Sequence, residues 1–497
     1  MDLLLGLDIG TSGARALAIG AAEGNLVGEA AAGYPMSTPR PGWTEQDPAD
    51  WWEASREVLR RVTADAGGDV IGLGLTGQMH GSVFLDRDDA VIRPALLWND
   101  QRTARQCEEI VERIGAEQLV AATGNPALTG FQAPKLLWLR EEEPDAYGRV
   151  ESVLLPKDYV RLRLTGERAT DASDASGTLL FDVRRRRWSA EVLDALEIPS
   201  RWLPEVYEGT EAAGALRPGI AEELGLPPGL PVAAGGGDNA AAAVGVGIAG
   251  EGQLSVSIGT SGVAFAPTEA FNPDPSGRVH AFCHALPGAF HLMAVTLSAG
   301  GSLSWWRDVV GGEAFDRLVQ EAAGVPPGAE GLVFLPFLTG ERTPHLDPDA
   351  RGGFVGLTPR HGRPEMTRAV MEGAVFGLRD GLGIMRGLGV RDDDVRAVGG
   401  GARSPLWRTL QADILGRPVR RTLVDEGPAY GAALLAGVAA GMYADADEAM
   451  SRVRLRDEVD EPDEGRARTY AELHEIYASL YPALRDAMHR LSARALT

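Results

Sequence analysis

Cysteine is nearly absent from this chain: Cys107 and Cys283 are the only two among 497 residues. Two cysteines provide no disulfide framework, and their scarcity fits a reducing compartment. Positive charge is also in short supply. Lys and Arg total 48 against 70 Asp and Glu, for a formal net charge of −22. So acidic a chain repels nucleic acid and anionic membranes, and neither is expected as a partner. The one basic run, Arg184-Arg185-Arg186-Arg187, reads as a solvated loop. No apolar run is suited to crossing a bilayer, because the longest Ala/Gly-rich stretch, Asn239 to Gly250, is too short and too rich in glycine. The N-terminus lacks a basic n-region and enters a strand at once, so no signal peptide is expected and a cytoplasmic location follows. The length suits two domains of roughly 200 residues or more, each with a substantial core.

What the chain does have is a repeat. Ile-Gly-Thr-Ser-Gly occurs at 9–13 and again at 258–262, about half the chain apart. Each copy follows a short alternating apolar run and leads into another, the pattern of a β-hairpin. Glycines at such a turn permit positive φ and close backbone approach, so amides and hydroxyls can cup an anion. A second correspondence joins the halves. Pro231 to Asn239 and Val395 to Arg403 both read as strand, three glycines and helix. The first interval between hairpin and glycines is the longer, so residues 78–180 are read as part of an insertion that elaborates recognition of a substrate. The expected division is 1–247 and 248–497. An amphipathic helix is expected from Asp50 to Ala64, a buried strand from Asp69 to Leu75, another strand at Ala95–Trp98, and a helix from Gln101 to about Ile114. The tail from Arg466 to Leu491 carries an apolar stripe that includes Tyr470, Tyr477, Met488 and Leu491. It is read as docking on the second domain, with a homodimer interface as the alternative, and Pro482 as a potential bend.

Two phosphate hairpins facing one cleft are what an actin-like or sugar-kinase ATPase requires. Phosphoryl transfer to an alcohol needs a phosphate cradle, a metal, an in-line hydroxyl and usually a carboxylate to take its proton. The cradle candidates are Gly10, Thr11, Ser12, Gly259, Thr260 and Ser261. Arg15 follows the first turn closely enough to point at a γ-phosphate, although a surface strand arginine fits as well. Asp8 precedes the first turn where Ser257 precedes the second. A strand-end carboxylate there suits Mg2+, directly or through water, or else caps the turn. Asp238 is the base candidate, since it leaves a buried strand through three glycines into a helix N-terminus whose amides keep it ionised. A plain N-cap is its other reading. Gln78, Met79 and His80 place hydrogen-bonding groups between glycines at a strand end, which suggests hydroxyl recognition. His280 and His284 sit too far apart along a strand to share zinc, at a rise of about 3.3 Å per residue. Gly400, Gly401 and Ala402 would let an adenosine lie against the backbone, and tight strand–helix packing explains them comparably.

These segments resemble the FGGY family of carbohydrate kinases, most closely its branch acting on D-xylulose. The matching segments include Gly6-Leu7-Asp8-Ile9-Gly10-Thr11-Ser12-Gly13, Gly77-Gln78-Met79-His80-Gly81, Leu97-Trp98-Asn99-Asp100, Leu155-Pro156-Lys157-Asp158-Tyr159, Gly235-Gly236-Gly237-Asp238-Asn239 and Gly340-Glu341-Arg342-Thr343-Pro344. The hairpin alone is shared by many kinases; Gln-Met-His-Gly together with Leu-Trp-Asn-Asp is much more specific. The resemblance implies an α/β fold with duplicated actin-like, ribonuclease H-like ATPase domains flanking a catalytic cleft, and transfer of the ATP γ-phosphate to the 5-hydroxyl of D-xylulose. On that reading Asp238 and Asp8 are catalytic and hold Mg2+. Gln78, Met79, His80, Trp98, Asp238 and Asn239 meet the sugar. Thr11, Ser12, Arg15, Gly259, Thr260, Ser261, Gly300, Gly400, Gly401 and Ala402 serve ATP. Two alternatives remain: a kinase of the same family for another ketose or a polyol, and an actin-like ATPase that polymerises or binds peptides. The second has no use for Asp238 or for the Gln-Met-His-Gly loop.

Overall fold

The computed structural model describes residues 1–425 and 427–495. Both copies of the repeated pentapeptide are hairpin turns. Asp2–Ile9 pairs antiparallel with Gly13–Gly20, and Gly252–Ile258 pairs antiparallel with Gly262–Thr268. Each hairpin lies inside a six-stranded sheet. The first runs Ala212–Ala215, Pro231–Gly237, Asp69–Gly77, Asp2–Ile9, Gly13–Gly20, Leu26–Gly33; the second runs His280–Cys283, Phe290–Thr296, Gly262–Thr268, Gly252–Ile258, Asp392–Val398, Val419–Arg420. In both, the opening strand has its antiparallel meander on one side and a parallel strand on the other. Helices cover the sheet faces, which is why the strands read as nearly continuous apolar runs.

This topology corrects one sequence expectation. The two glycine junctions do not occupy equivalent strands. Asp392–Val398 lies directly beside its domain's opening strand, whereas Pro231–Gly237 lies one strand further out, beyond Asp69–Gly77. The counterpart of the Gly399–Gly401 junction is therefore the Gly77–His80 loop. Both halves then carry an insertion: the first between Asp69–Gly77 and Pro231–Gly237, the second between Phe290–Thr296 and Asp392–Val398. Periodicity identifies a strand but says nothing about its place in a sheet.

The expected helix near residue 50 spans Pro48–Ala66. Asp47 caps it by accepting the Ala49 N–H at 2.9 Å, Pro48 takes a position that needs no N–H donor, and Gly67 ends it at φ 63°. Its buried face carries Trp51, Val58, Leu59 and Val62, each worth about 1.5–3 kcal/mol of burial. The expected strand at Ala95–Trp98 is cut to Ala95–Leu96, and the next helix begins at Ala104.

Three tertiary features position the cleft. Helix Gly427–Ala439 crosses from the second half to lie on the first sheet, where a Cβ at Gly6 or Gly74 would collide with the carbonyls of Ala429 and Ala432. The C-terminal helix Glu464–Ala495 docks on the second domain with Pro482 inside it. Tyr470 and Tyr477 are buried there, the Tyr470 hydroxyl donates to Glu372 at 2.7 Å, and His474 meets Asp380 at 2.7 Å. Leu491, expected on the docked stripe, is instead 63% exposed. The arginine run is also more than a solvated loop. Arg186 pairs with Glu208 at 2.5 Å and donates to the Ala289 carbonyl at 2.8 Å, tying the insertion of the first domain to the second. Its neighbours Arg184, Arg185 and Arg187 are exposed, as expected.

Candidate active site

Each of the two hairpin turns closes at the end of its domain's opening strand. In each, the first glycine N–H closes the turn: Gly10 donates to the Gly13 carbonyl at 3.1 Å, and Gly259 to the Ser261 carbonyl at 3.0 Å. A second shell of side chains holds the first turn in place. The Thr11 carbonyl accepts from Gln46 at 2.7 Å, its hydroxyl accepts the Trp98 indole N–H at 3.0 Å, and the Tyr34 hydroxyl donates to the Gly10 carbonyl. Asp8 and Arg15 are cross-strand partners at its base. Burial, with the Asp8 charge adding to it, pushes the Tyr34 phenol far above its ordinary range, so this clamp remains a neutral hydroxyl.

A cavity of about 660 Å³ opens beside the second turn. Gly259, Thr260, Gly300, Gly400 and Gly401 form one wall of it, while Leu303, Phe315 and Val319 supply an apolar face. The backbone-rich wall is tight. A Cβ at Gly300 would stand 2.5 Å from the Gly259 carbonyl oxygen, and one at Gly401 would stand 2.6 Å from Ile258 Cβ. A second cavity, of about 450 Å³, is lined by Arg15, Asp238, Asn239, Val398, Gly399 and Asp425. Gly400 and Arg403 line both cavities, so the apolar pocket adjoins the cavity that holds Asp238. Arg403 adds a second cation beside Arg15 in an otherwise acidic chain.

Asp238 is half-buried and is the first residue of helix Asp238–Gly245. Its Oδ1 accepts from the Asn239 backbone N–H at 2.7 Å and the Asn239 side chain at 2.8 Å. Burial outweighs these bonds and pushes the carboxyl up to about 6. Of Gln78, Met79 and His80, Met79 packs next to Asp238. Met79 is buried and packs on Gly237, where a Cβ would sit 2.9 Å from Met79 Cγ. His80 adopts φ 68°; its Nδ1 meets the Gly177 carbonyl at 2.6 Å and its ring packs edge-on against Phe131 at 4.7 Å. Desolvation lowers the imidazole to about 3, so it is neutral at pH 7. Gln78 is fully buried, and its amide donates to Gln46 Oε1 at 3.0 Å. It thereby couples the sugar loop to the residue that grips Thr11.

The structure thus gathers Thr11, Trp98 and Arg15 with Asp8 at one turn. Gly259, Thr260, Gly300, Gly400 and Gly401 come together at the other, beside Ser261 and Ala402, and Asp238 and Asn239 lie between. Several side chains near these residues carried no role in the sequence: Tyr34, Gln46, Arg403, and a buried Lys135 whose Nζ donates to the His80 carbonyl at 2.8 Å. Burial lowers Lys135 to about 7. One signal pointed to it: Lys135 and Lys157 are the only lysines in the chain.

Two domains with matching six-stranded sheets, each opening on a glycine-turned hairpin, define the actin-like ATPase architecture. The N-terminal domain of the FGGY family of carbohydrate kinases matches residues 3–245 and its C-terminal domain matches residues 254–440; the chain belongs to that family. It is 43% identical to a xylulose kinase of Escherichia coli (strain K12), over 97% of this chain and 99% of that one. Among solved structures, a xyloylose kinase from Brucella ovis superposes with a TM-score of 0.92 at 42% identity, covering 98% and 100% of the two chains. A gluconate kinase from Lactobacillus acidophilus superposes at 0.93 with 27% identity, covering 99% of each.

Proposed function

We propose that this carbohydrate kinase transfers the γ-phosphoryl group of ATP to the 5-hydroxyl of D-xylulose, yielding ADP and D-xylulose 5-phosphate. The observation that carries the reading is Asp238: a carboxylate pushed up to about 6, in a cavity that adjoins an apolar pocket beside the second glycine turn. On this reading the adenosine occupies the pocket lined by Gly300, Gly400, Gly401 and Leu303, and the phosphates run toward Thr11, Ser12, Thr260 and Ser261. Asp238 accepts the proton of the 5-hydroxyl as its oxygen bonds to the γ-phosphorus and the bond to the β,γ-bridging oxygen breaks. A base poised near neutral pH contributes about 10²–10⁴-fold. Neutral His80, held by Gly177, offers a hydrogen bond to a sugar hydroxyl without adding charge, and Met79, Trp98 and Asn239 complete the sugar wall. Arg15 and Arg403 place positive charge where the phosphates would lie, which favours a transition state with charge spread over the phosphoryl oxygens.

Asp8 fits a Mg2+ role because a hard cation needs oxygen ligands beside the triphosphate, and its carboxylate lies against Gly10, whose Cβ position is 3.8 Å from Asp8 Oδ2. Asp238 is the other carboxylate at hand. Among the described residues no group of three or more His, Cys, Asp and Glu forms a complete metal site, so phosphate oxygens and water would supply the remaining ligands. Bound there, the ion would neutralise phosphate charge. We take residues 1–247 and 248–497 as the two working domains, the first bearing the sugar loop and the second the nucleotide pocket.

The test is ADP release across a sugar panel with ATP and Mg2+. D-xylulose is expected to give the highest kcat/KM. A preference for gluconate, a polyol or another ketose would overturn the specificity while leaving the kinase assignment standing.

A further inference from the structure

Lys157 and Arg161, on helix Pro156–Thr165, are both fully buried in the first domain. Lys157 Nζ lies 2.6 Å from Asp158, 2.8 Å from Asp171 and 3.3 Å from Asp174. Charge removed from water this completely persists only when paired. Arg161 donates to the carbonyls of Ala233 at 2.8 Å and Ala234 at 2.6 Å, in the strand that leads to Asp238. Two cations thus face three carboxylates. Burial pushes Asp174 well above the ordinary carboxylate range, against the pull of Lys157 and helped by Asp171 and Asp158. With a proton on Asp174 the cluster is electrically balanced.

From this cluster a chain of hydrogen bonds reaches the active site. Asp171 Oδ1 accepts the backbone N–H groups of Ser173 at 2.8 Å and Asp174 at 3.1 Å, and also the Ser173 hydroxyl. The Ser173 oxygen in turn accepts the Gly237 N–H at 3.1 Å. Gly237 immediately precedes Asp238 and follows two further glycines, so no side chain of its own fixes the strand end. Lys157 lies under the sugar loop as well: a Cβ at Gly77 would rest 3.4 Å from Lys157 Cβ.

We propose that Lys157, acting through Asp171 and Ser173, is a positioning residue that fixes the Gly237 backbone and hence the aim of the Asp238 carboxylate. The inference rests on the reading of Asp238 as the base. A carboxylate displaced by about 1 Å can lose on the order of 10²-fold in rate without losing substrate.

Ser173→Ala tests this, because it removes the hydroxyl that links Asp171 to the Gly237 N–H and leaves the ion pairs of Lys157 in place. The expected result is a kcat lowered by about 10–100-fold, with KM for sugar and ATP little changed, the melting temperature close to that of the parent, and the rising limb of the kcat/KM pH profile displaced. Lys157→Met should reproduce the kcat loss; if it does not fold, Ser173→Ala decides alone. An unchanged kcat and pH limb in folded Ser173→Ala would overturn the inference, as would a loss explained by equal changes in KM. Asp238→Asn, assayed alongside, separates the two readings. If it is inactive while Ser173→Ala matches the parent, only the positioning role fails. If Asp238→Asn turns over normally, the base assignment fails and the positioning role with it.

Discussion

At the scale of single residues the carboxyl of Asp238, the proposed base, would set the pH behaviour. A base must be unprotonated, and burial lifts this one to about 6. The kcat/KM profile should therefore rise through about pH 6 and fall about tenfold per unit below it. Asp238→Ala should lose about 10²–10⁴-fold in kcat while still binding a non-hydrolysable ATP analogue, as calorimetry would show. His80→Ala should act on the other parameter, raising KM for D-xylulose about tenfold or more, since a hydrogen bond to a sugar hydroxyl is worth roughly 1–2 kcal/mol. The strand-end positions of Asp238 and His80 were legible because glycines adjoin both, Gly237 before Asp238 and Gly81 after His80. Gln46, Tyr34 and Arg403 were not. Arg403 follows the second glycine junction, yet its place in one cavity with Arg15, like the grip of Gln46 and Tyr34 on the first turn, exists only through the fold.

At the scale of elements, the second hairpin and the helix beginning at Gly300 join by backbone hydrogen bonds, the Gly300 N–H donating to the Gly259 carbonyl at 2.8 Å. Gly300→Ala places a methyl carbon 2.5 Å from that oxygen and is expected to raise KM for ATP by at least tenfold, with KM for sugar nearly constant. The strands around His280–Cys283 and Phe290–Thr296 carry another consequence. His280, His284 and His291 are buried there, and His291 stacks on Phe265 at 4.1 Å. Burial first, and then the neighbouring His284 and His280, depress His291 well below its ordinary value. A group so depressed contributes stability that is present above about pH 6.5 and lost as pH falls through it. His291→Phe should therefore resist acid better than the parent, by up to about 1.4 kcal/mol per pH unit between pH 6.5 and 5. Urea midpoints across that range check the slope independently of any packing cost. The hairpins were legible because a period of two and a repeated turn survive in the sequence. The apolar side of the nucleotide pocket was not, since Leu303, Phe315 and Val319 look like any helix core until the sheets bring them against Gly400.

At the scale of the molecule, the duplication announced itself through the repeated pentapeptide, yet the matching of glycine junctions went astray because strand order is set by long-range pairing. The same pairing seats helix Gly427–Ala439 on the first sheet, so the halves touch where Gly6 and Gly74 leave room for its carbonyls. The two lysines carry a practical consequence at this scale. Both are sealed inside, so the native fold shelters every lysine ε-amine from amine-reactive reagents. A succinimidyl dye should leave Lys135 and Lys157 unmodified in the native protein and label both after denaturation, and peptide-mass spectra would show each attachment. Slow labelling of these two sites under mild stress would then gauge how often the protein breathes open.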